Sequence, residues 1–264
     1  GTVTLTDQTT GTFDYVPASA GGRGSDTFSY QVRDPDGNVD SAAETVIVDI
    51  KIMPFGDSIT DGVTDGGTGQ PAINQRVGYR KPLYTSLIND GFSFDFVGSK
   101  TVGGNILNDA QTESHPGWTA SELALGQLMN GTDGIYAWLT ASPADIVLVH
   151  AGTNGLAGDV KGFGITEILN EIDRWELEGG NPVTVLLAEI IDQNPENGDV
   201  KTLNTNIRGI AAGRPDIDGT IDQFIALTYP DDLNDQLHPN TSGYGKMADT
   251  WFSKLQTIID KCPP

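Results

Sequence analysis

Ser58, Asp235 and His238 have the residue types and the order of a nucleophilic catalytic site. Ser58 ends a Gly-Asp-Ser turn that follows the apolar run 46–53, which predicts a strand with the serine at its carboxyl end. Open α/β folds place their chemistry at that edge of the sheet. A serine hydroxyl needs a base, and His238 can take its proton while Asp235 orients the imidazole. A Gly-Asp-Ser turn alone also ends ordinary strands, so the interpretation depends on the downstream residues.

An oxyanion formed by attack on an ester needs hydrogen-bond donors, and the sequence offers three. They are the backbone N–H of Ser58, the backbone N–H of Gly117 and the side-chain amide of Asn154, which follows a buried strand. Each has a structural alternative. Asn154 can tolerate a turn conformation after a strand, and Gly117 can serve only a tight turn. Asp235 can cap the last helix, although Asn240 or Thr241 is better placed for that role.

The elements that position these residues alternate between strands and helices from residue 51 onward. Apolar spacing predicts helices over 79–90, 121–129, 167–177, 200–212 and 241–259, and strands over 94–97, 145–150, 182–191 and 224–227. Repeated β–α units predict a mostly parallel sheet with helices on both faces. His150 ends a buried strand and is predicted to be a satisfied core residue rather than a second base. The Gly- and Asp-rich segment 61–69 is a surface loop or a rim of the substrate site.

The four blocks around Ser58, Gly117, Asn154 and the Asp235/His238 pair resemble the SGNH (GDSL-type) hydrolase superfamily. The resemblance covers residues 51–260. It implies an α/β fold, namely a three-layer α/β/α flavodoxin-like sheet in a catalytic domain over 51–264. It implies catalysis by Ser58, His238 and Asp235, an oxyanion hole of Ser58, Gly117 and Asn154, and no metal or organic cofactor.

Further motifs look like carbohydrate esterase family 3, the acetyl-xylan-esterase-like branch. They include Gly78-Tyr79-Arg80, His115-Pro116-Gly117-Trp118 and Leu237-His238-Pro239-Asn240. Tyr79, Arg80, His115 and Trp118 are accordingly candidate substrate-binding residues; Trp118 could stack on a sugar ring or pack in the core. Gly155 departs from the family pattern, which has Asp after Gly-Thr-Asn, and we expect the missing carboxylate to weaken a supporting hydrogen bond.

Residues 1–50 differ in composition from the rest of the chain, and their side-chain types alternate with period two. This pattern predicts four short strands over 2–6, 11–17, 26–32 and 44–48. This β-rich segment resembles about half of a bacterial cadherin-like or Ig-like repeat. It is expected to pack on the catalytic domain or to self-associate through its open strand edges. Asp34 and Asp36 lie in a turn where they could bind calcium, although a solvated hairpin turn is the favoured interpretation.

Composition restricts the partners. The chain has 264 residues, a formal net charge of −21 and one cysteine, Cys262. Such charge disfavours nucleic acid and anionic membranes as partners. One cysteine allows no intrachain disulfide and no cysteine-based metal cluster, and no apolar run is long enough for a membrane span. The chain begins at Gly1, which suggests a processed or shortened product, and we expect a secreted or cell-surface location.

The leading functional hypothesis is a serine esterase that removes acetyl groups from plant or algal polysaccharide. One alternative is a broad short-chain aryl or alkyl esterase, or a lipase or thioesterase for longer acyl chains. A different class is a non-catalytic cell-surface glycan-binding protein, which the β-rich segment favours and the Ser58, Asp235 and His238 set argues against. The dependence of hydrolysis on acyl length separates the first two, and glycan binding without turnover would favour the third.

Overall fold

The computed structural model describes residues 1–16, 24–67, 69–127, 131–217 and 219–259. The N-terminal segment forms two antiparallel hairpins, and Phe13 and Phe28 connect them edge to face with ring centroids 4.9 Å apart. Their strands are β1 (Thr2–Asp7), β2 (Thr12–Val16), β3 (Gly24–Arg33) and β4 (Val39–Val48). The four strands predicted there are confirmed within the described residues; Pro17, placed in the second of them, lies outside those residues.

The rest of the chain is built on one seven-stranded sheet. Its strands are β5 (Ile50–Gly56), β6 (Phe94–Phe96), β7 (Lys100–Thr101), β8 (Gln111–Ser114), β9 (Ile146–His150), β10 (Thr184–Glu189) and β11 (Thr220–Asp222). The order is β11-β10-β9-β5-β8-β7, and β6 pairs with the first half of β5. All pairings are parallel except β7 with β8. The order reverses at β5, so the crevice at its carboxyl end is the expected ligand site.

Helices cover both faces of this sheet, as the sequence predicts. They are α1 (Ser58–Asp61), α2 (Arg80–Asn89), α3 (Ala120–Leu125), α4 (Ile135–Ala141), α5 (Phe163–Leu177), α6 (Gly198–Ala212), α7 (Gln223–Ala226) and α8 (Thr241–Ile258). One apolar cluster joins the sheet to α3, α4, α5 and α6, and the other joins it to α1, α2 and α8. The three-layer α/β/α prediction is therefore confirmed.

Two details of the predicted elements need correction. The strand predicted over 224–227 is helix α7, which begins after Asp222 because its carboxylate accepts the N–H of Ile225 at 2.9 Å. A four-residue apolar run has no period that distinguishes a strand from a helical turn. The helix predicted over 121–129 ends at Leu125, and Met129 lies outside the described residues. Strand β8 and helix α4 were not predicted.

Asp34 lies in the turn between β3 and β4, where the sequence offered calcium binding as one interpretation. Both carboxylate oxygens of Asp34 accept hydrogen bonds from Asn38, each at 2.8 Å, so Asp34 closes the β3–β4 turn. Within the described ranges no group of three or more His, Cys, Asp or Glu side chains is arranged to hold a metal ion. No helix in that part of the chain is long and apolar enough to cross a membrane.

Candidate active site

Ser58, His238 and Asp235 lie in one hydrogen-bonded series at the carboxyl edge of the sheet. Ser58 Oγ is 3.0 Å from His238 Nε2, and His238 Nδ1 is 2.8 Å from Asp235 Oδ2. Because an ionised carboxylate can only accept, Nδ1 carries the proton and Nε2 is free to accept from the serine hydroxyl. Ser58 and His238 are both buried, each 7% exposed, so their contact is largely shielded from solvent.

The turn that carries Ser58 is shaped by Gly56 and Asp57. Strand β5 ends at Gly56, where any Cβ would collide with the main-chain carbonyl of His150 on β9. Asp57 then caps α1, its Oδ1 accepting the N–H of Ile59 at 3.0 Å. Ser58 is therefore the first helical residue, and its own N–H has no hydrogen-bond acceptor among the residues that the structure describes. That free N–H is available to an oxyanion.

Asp57 is a buried carboxyl group directly beside Ser58. It is fully buried, and burial raises its pKa to about 6, although the Ile59 N–H and the charge of His238 act to lower it. Its Oδ2 has no hydrogen-bond partner in the described part of the chain. Asp57 therefore holds the helix start at an electrostatic cost.

Asp235 is held as a charged acceptor. Its Oδ1 accepts the backbone N–H groups of Leu237 at 2.7 Å and His238 at 2.6 Å, and its Oδ2 accepts the N–H of Gly66 at 2.9 Å in addition to His238 Nδ1. Burial alone would raise the pKa of Asp235, but these hydrogen bonds outweigh it and lower the pKa to about 2. The alternative role as a helix cap falls to Asn240, whose side chain accepts from Ser242 and Gly243.

The turn at Gly117 presents a second free N–H. The N–H of Trp118 donates to the carbonyl of His115 at 3.2 Å, with Pro116 and a left-handed Gly117 (φ 83°) between them. Pro followed by a positive-φ Gly is the signature of a type II turn. The His115 N–H bonds Gly56 O at 2.9 Å, so the turn is fixed beside the nucleophile strand. No acceptor for the Gly117 N–H occurs among the described residues.

Asn154 is positioned by the same turn. Its Nδ2 donates to the carbonyl of Trp118 at 3.0 Å, and a β-bridge links Asn154 to Thr119. A side-chain amide has two N–H groups, so one remains for an oxyanion. Gly155 follows with φ 69°, and a Cβ there would lie 2.7 Å from Thr119 Cγ2. The backbone conformation and the nearby Thr119 side chain thus favour glycine at position 155. The departure from the family pattern is therefore more than the loss of a carboxylate.

His115 is part of a cluster that sequence reasoning did not find. Its Nε2 lies 2.6 Å from Oε1 of buried Glu113, and its ring packs against Trp118 and Trp138 at centroid distances of 4.4 and 4.3 Å. Glu113 also accepts the N–H and hydroxyl of Ser99. Glu113 lies on β8 and His115 directly follows that strand, and side chains two residues apart on an extended backbone share a face. Because β8 was not predicted, this spacing did not indicate the pair.

Two candidate substrate-binding residues are corrected by their burial. Tyr79 and Arg80 are both 0% exposed and contact no solvent. The Arg80 guanidinium donates to five main-chain carbonyls, those of Thr60, Asp61, Arg76, Val102 and Ala110. Tyr79 packs on Trp251 with centroids 5.9 Å apart. Both residues support the loops around the nucleophile from inside the protein, whereas Trp118 is only partly buried.

The prediction for His150 is half right. The residue is fully buried, but neither ring nitrogen has a hydrogen-bond partner within the described ranges. Burial lowers its pKa to about 4, so the imidazole is neutral near pH 7. His150 is a core residue without the hydrogen bonds expected of it.

Comparisons with known proteins find a family match at the N-terminal end and a relative that covers most of the chain. Residues 1–48 match the family described as bacterial Ig domain. A multidomain esterase from Ruminococcus flavefaciens is 29% identical over 237 residues, which cover 80% of this chain. The aligned region is 29% of that protein, so this chain spans less than a third of the curated relative.

Solved structures confirm the predicted resemblance in fold. The family 3 carbohydrate esterase of Clostridium thermocellum is 29% identical with a TM-score of 0.63, and the alignment covers 79% of this chain and 96% of that one. A family 3 carbohydrate esterase from Talaromyces cellulolyticus is 25% identical with a TM-score of 0.64, covering 79% and 97%. A lipolytic protein of the G-D-S-L family from Desulfitobacterium hafniense, 15% identical with a TM-score of 0.52 over 78% of this chain and 99% of that one, shares the fold.

Proposed function

We propose that this chain is a serine esterase that hydrolyses short-chain esters, with acetyl groups on plant or algal polysaccharide as its substrate. The observation that carries the proposal is the series Ser58 Oγ, His238 Nε2 and Nδ1, and Asp235 Oδ2, with separations of 3.0 and 2.8 Å. A base within hydrogen-bond distance of a serine, itself oriented by a carboxylate, is the arrangement that activates a hydroxyl for acyl transfer.

In the first half of the reaction, Ser58 Oγ attacks the ester carbonyl while His238 Nε2 takes the hydroxyl proton. The negative charge moves to the carbonyl oxygen, where the N–H groups of Ser58 and Gly117 and the amide of Asn154 would receive it. One such donor contributes roughly 3–4 kcal/mol in the transition state. Collapse of the tetrahedral intermediate breaks the ester C–O bond, and His238 returns the proton to the leaving alcohol.

In the second half, water attacks the acyl-Ser58 ester and His238 Nε2 again accepts a proton. Breakdown releases the carboxylic acid and restores the serine hydroxyl. Asp235 stabilises the imidazolium in both halves, and the four hydrogen bonds it accepts keep it ionised.

Similarity to carbohydrate esterases of family 3 supports acetylated carbohydrate as the substrate class. The relation to a multidomain esterase and the bacterial Ig domain match at residues 1–48 support action outside the cell, by a catalytic part attached to a β-rich module. Open strand edges in that module are candidates for self-association.

Substitution of the nucleophile tests the proposed activity. Ser58→Ala removes the attacking oxygen and is expected to lower kcat for p-nitrophenyl acetate by roughly 10⁶-fold, as for other serine hydrolases. The matched control is Ser253→Ala on the exposed face of α8, which is expected to keep wild-type turnover. Full activity in Ser58→Ala, with circular dichroism confirming the fold, would disprove the proposal.

Substrate range requires two further measurements. Rates on p-nitrophenyl esters from acetate to octanoate should be highest for acetate; a maximum beyond butyrate would indicate a lipase or thioesterase instead. Acetate release from acetylated xylan, pectin, mannan and chitooligosaccharides identifies the polymer. Polysaccharide binding with no ester turnover by the wild-type chain would favour a glycan-binding protein.

A further inference from the structure

The segment 63–67, which we name the strap, joins the nucleophile helix to the loop that carries Asp235 and His238. At its start, the N–H of Val63 donates to Ser58 O at 3.0 Å, and Val63 O accepts the hydroxyl of Tyr244 at 2.5 Å. Next, Thr64 O accepts Asn234 Nδ2 at 2.9 Å. Every strap atom in these contacts belongs to the main chain, so these two attachments do not depend on the strap's side chains.

The third attachment of the strap reaches the catalytic carboxylate itself. The N–H of Gly66 donates to Asp235 Oδ2 at 2.9 Å, and this oxygen also accepts His238 Nδ1 at 2.8 Å. The other donors to Asp235, the N–H groups of Leu237 and His238, bind Oδ1 and come from its own loop. Among the described residues, Gly66 is thus the one donor that relates the carboxylate to a different segment of the protein.

The strap backbone lies close to the imidazole of His238 at Gly66. A Cβ built on Gly66 would lie 3.3 Å from His238 Cε1 and 3.6 Å from Asp235 Oδ2, so the strap backbone passes directly along the imidazole edge. Asp65 Oδ1 accepts the N–H of Gly67 at 2.7 Å, which closes a local turn around Gly66. The turn holds the Gly66 N–H toward Asp235.

We propose that the main-chain N–H of Gly66 is a positioning group of the active site, which holds the Asp235 carboxylate in line with His238 Nδ1. The inference rests on the proposed esterase function, because it assigns a role within that reaction. The strap starts on the helix of Ser58 and ends on the partner of His238, so it couples the position of the nucleophile to that of its base. An error of about 1 Å in such an alignment can cost on the order of 100-fold in rate.

The direct test compares Gly66→Pro, which removes the N–H, with Gly66→Ala, which keeps it. Gly66→Pro is expected to lower kcat for p-nitrophenyl acetate by roughly 10- to 100-fold with KM little changed, because a hydrogen bond to a charged group is lost. Gly66→Ala is expected to retain a larger kcat than Gly66→Pro. Equal kcat for wild type and a folded Gly66→Pro variant would overturn the proposal.

A spectroscopic measurement separates this inference from the proposed function. The proton on His238 Nδ1 in its hydrogen bond to Asp235 gives a low-field ¹H NMR signal, identified by its absence in His238→Gln; the chain has only three histidines. We expect the signal to shift or disappear in Gly66→Pro and to persist in Gly66→Ala. This result requires no ester turnover, so an unchanged signal in folded Gly66→Pro rejects the strap role even if the chain proves inactive on esters.

Tyr244→Phe provides a second route if Gly66→Pro does not fold. It removes the hydroxyl that anchors Val63 O and leaves the Gly66 N–H in place, so kcat and the low-field signal should change in the same direction by a smaller amount. The matched control is Tyr84→Phe, whose hydroxyl has no hydrogen bond in the described structure and whose loss should alter neither readout. Wild-type kcat and an unshifted signal in Tyr244→Phe would overturn the claim that the strap couples the position of Ser58 to that of Asp235.

Discussion

Replacement of Asp57 by Asn should stabilise the protein at neutral pH and not in acid. Asp57 is fully buried beside Ser58, with one oxygen capping α1 and the other unpaired within the described residues. An Asn side chain keeps an oxygen for the Ile59 N–H but cannot ionise. The substitution therefore removes the cost of a buried charge while it preserves the cap that positions the nucleophile.

The magnitude follows from the raised pKa. Burial raises the pKa of Asp57 to about 6 in the folded protein, against 3.8 for the ordinary group. Well below pH 3.8 the carboxyl group is protonated in both states and costs nothing. As pH rises from 3.8 to about 6, Asp57 ionises in the unfolded chain before it ionises in the folded protein. The free energy of unfolding therefore falls over this interval and levels off once the folded group is also ionised. A difference of about 2 pH units corresponds to about 3 kcal/mol lost above pH 6.

Urea unfolding of wild type and Asp57→Asn at pH 4 and pH 8 measures this difference. The other titrating groups are common to both proteins and largely cancel in the comparison. The variant should gain about 2.5 kcal/mol relative to wild type between the two pH values, because the unfolded carboxyl group is already about half ionised at pH 4. A free-energy difference that is the same at both pH values would refute the argument, because it would show that the Asp57 charge is compensated in the folded state.

Two further substitutions test the turn at Gly117 and the buried Arg80. Gly117 and Gly37 have similar left-handed φ values of 83° and 89°, and a Cβ at either would meet no atom within 4 Å. Each Gly→Ala change should therefore cost about 1 kcal/mol of stability. Gly117→Ala keeps the N–H but strains the turn that aims it, so only this change should also lower kcat, by less than the roughly 100-fold that loss of a donor costs; equal kcat in both would contradict the oxyanion role. Arg80→Met leaves main-chain carbonyls without donors and should cost about 3 kcal/mol or more in urea unfolding, whereas exposed Lys81→Met should cost little; wild-type stability in Arg80→Met would contradict the supporting role.

Long periodic elements were predictable because burial of one face imposes a repeating pattern. The strands around 146–150 and 184–189 are continuous apolar runs, as buried parallel strands are, and α5 and α8 show helical spacing. Helix α7 was assigned as a strand because four residues contain no period. Its start depends on the Asp222 cap, in which the side chain accepts the N–H of the residue three positions later. This cap favours a helix, whereas the β propensity of the run favours a strand.

The location of the side chains at the candidate site was predictable for a related reason. Ser58 and Asn154 follow strands that pair in parallel, so their positions at one sheet edge follow from the topology alone. Arg80 was wrongly predicted to bind substrate because a charged residue in a motif suggests an exposed side chain. Five carbonyls of neighbouring loops satisfy its guanidinium in the interior, and no local pattern shows where those carbonyls lie.

Main-chain donors are the part of the site that residue types describe least. The N–H groups of Ser58, Gly66 and Gly117 are identical to every other backbone N–H, and only their unpaired or redirected state gives them a role. Glycine indicates where the backbone comes close to another group or adopts a left-handed φ, but it does not say which acceptor the N–H faces. Gly66 N–H reaches Asp235 across 169 residues of sequence, a contact that only the folded arrangement of strap and loop creates. The side chains proposed to be catalytic can therefore be predicted from the sequence, whereas the main-chain groups beside them require the structure.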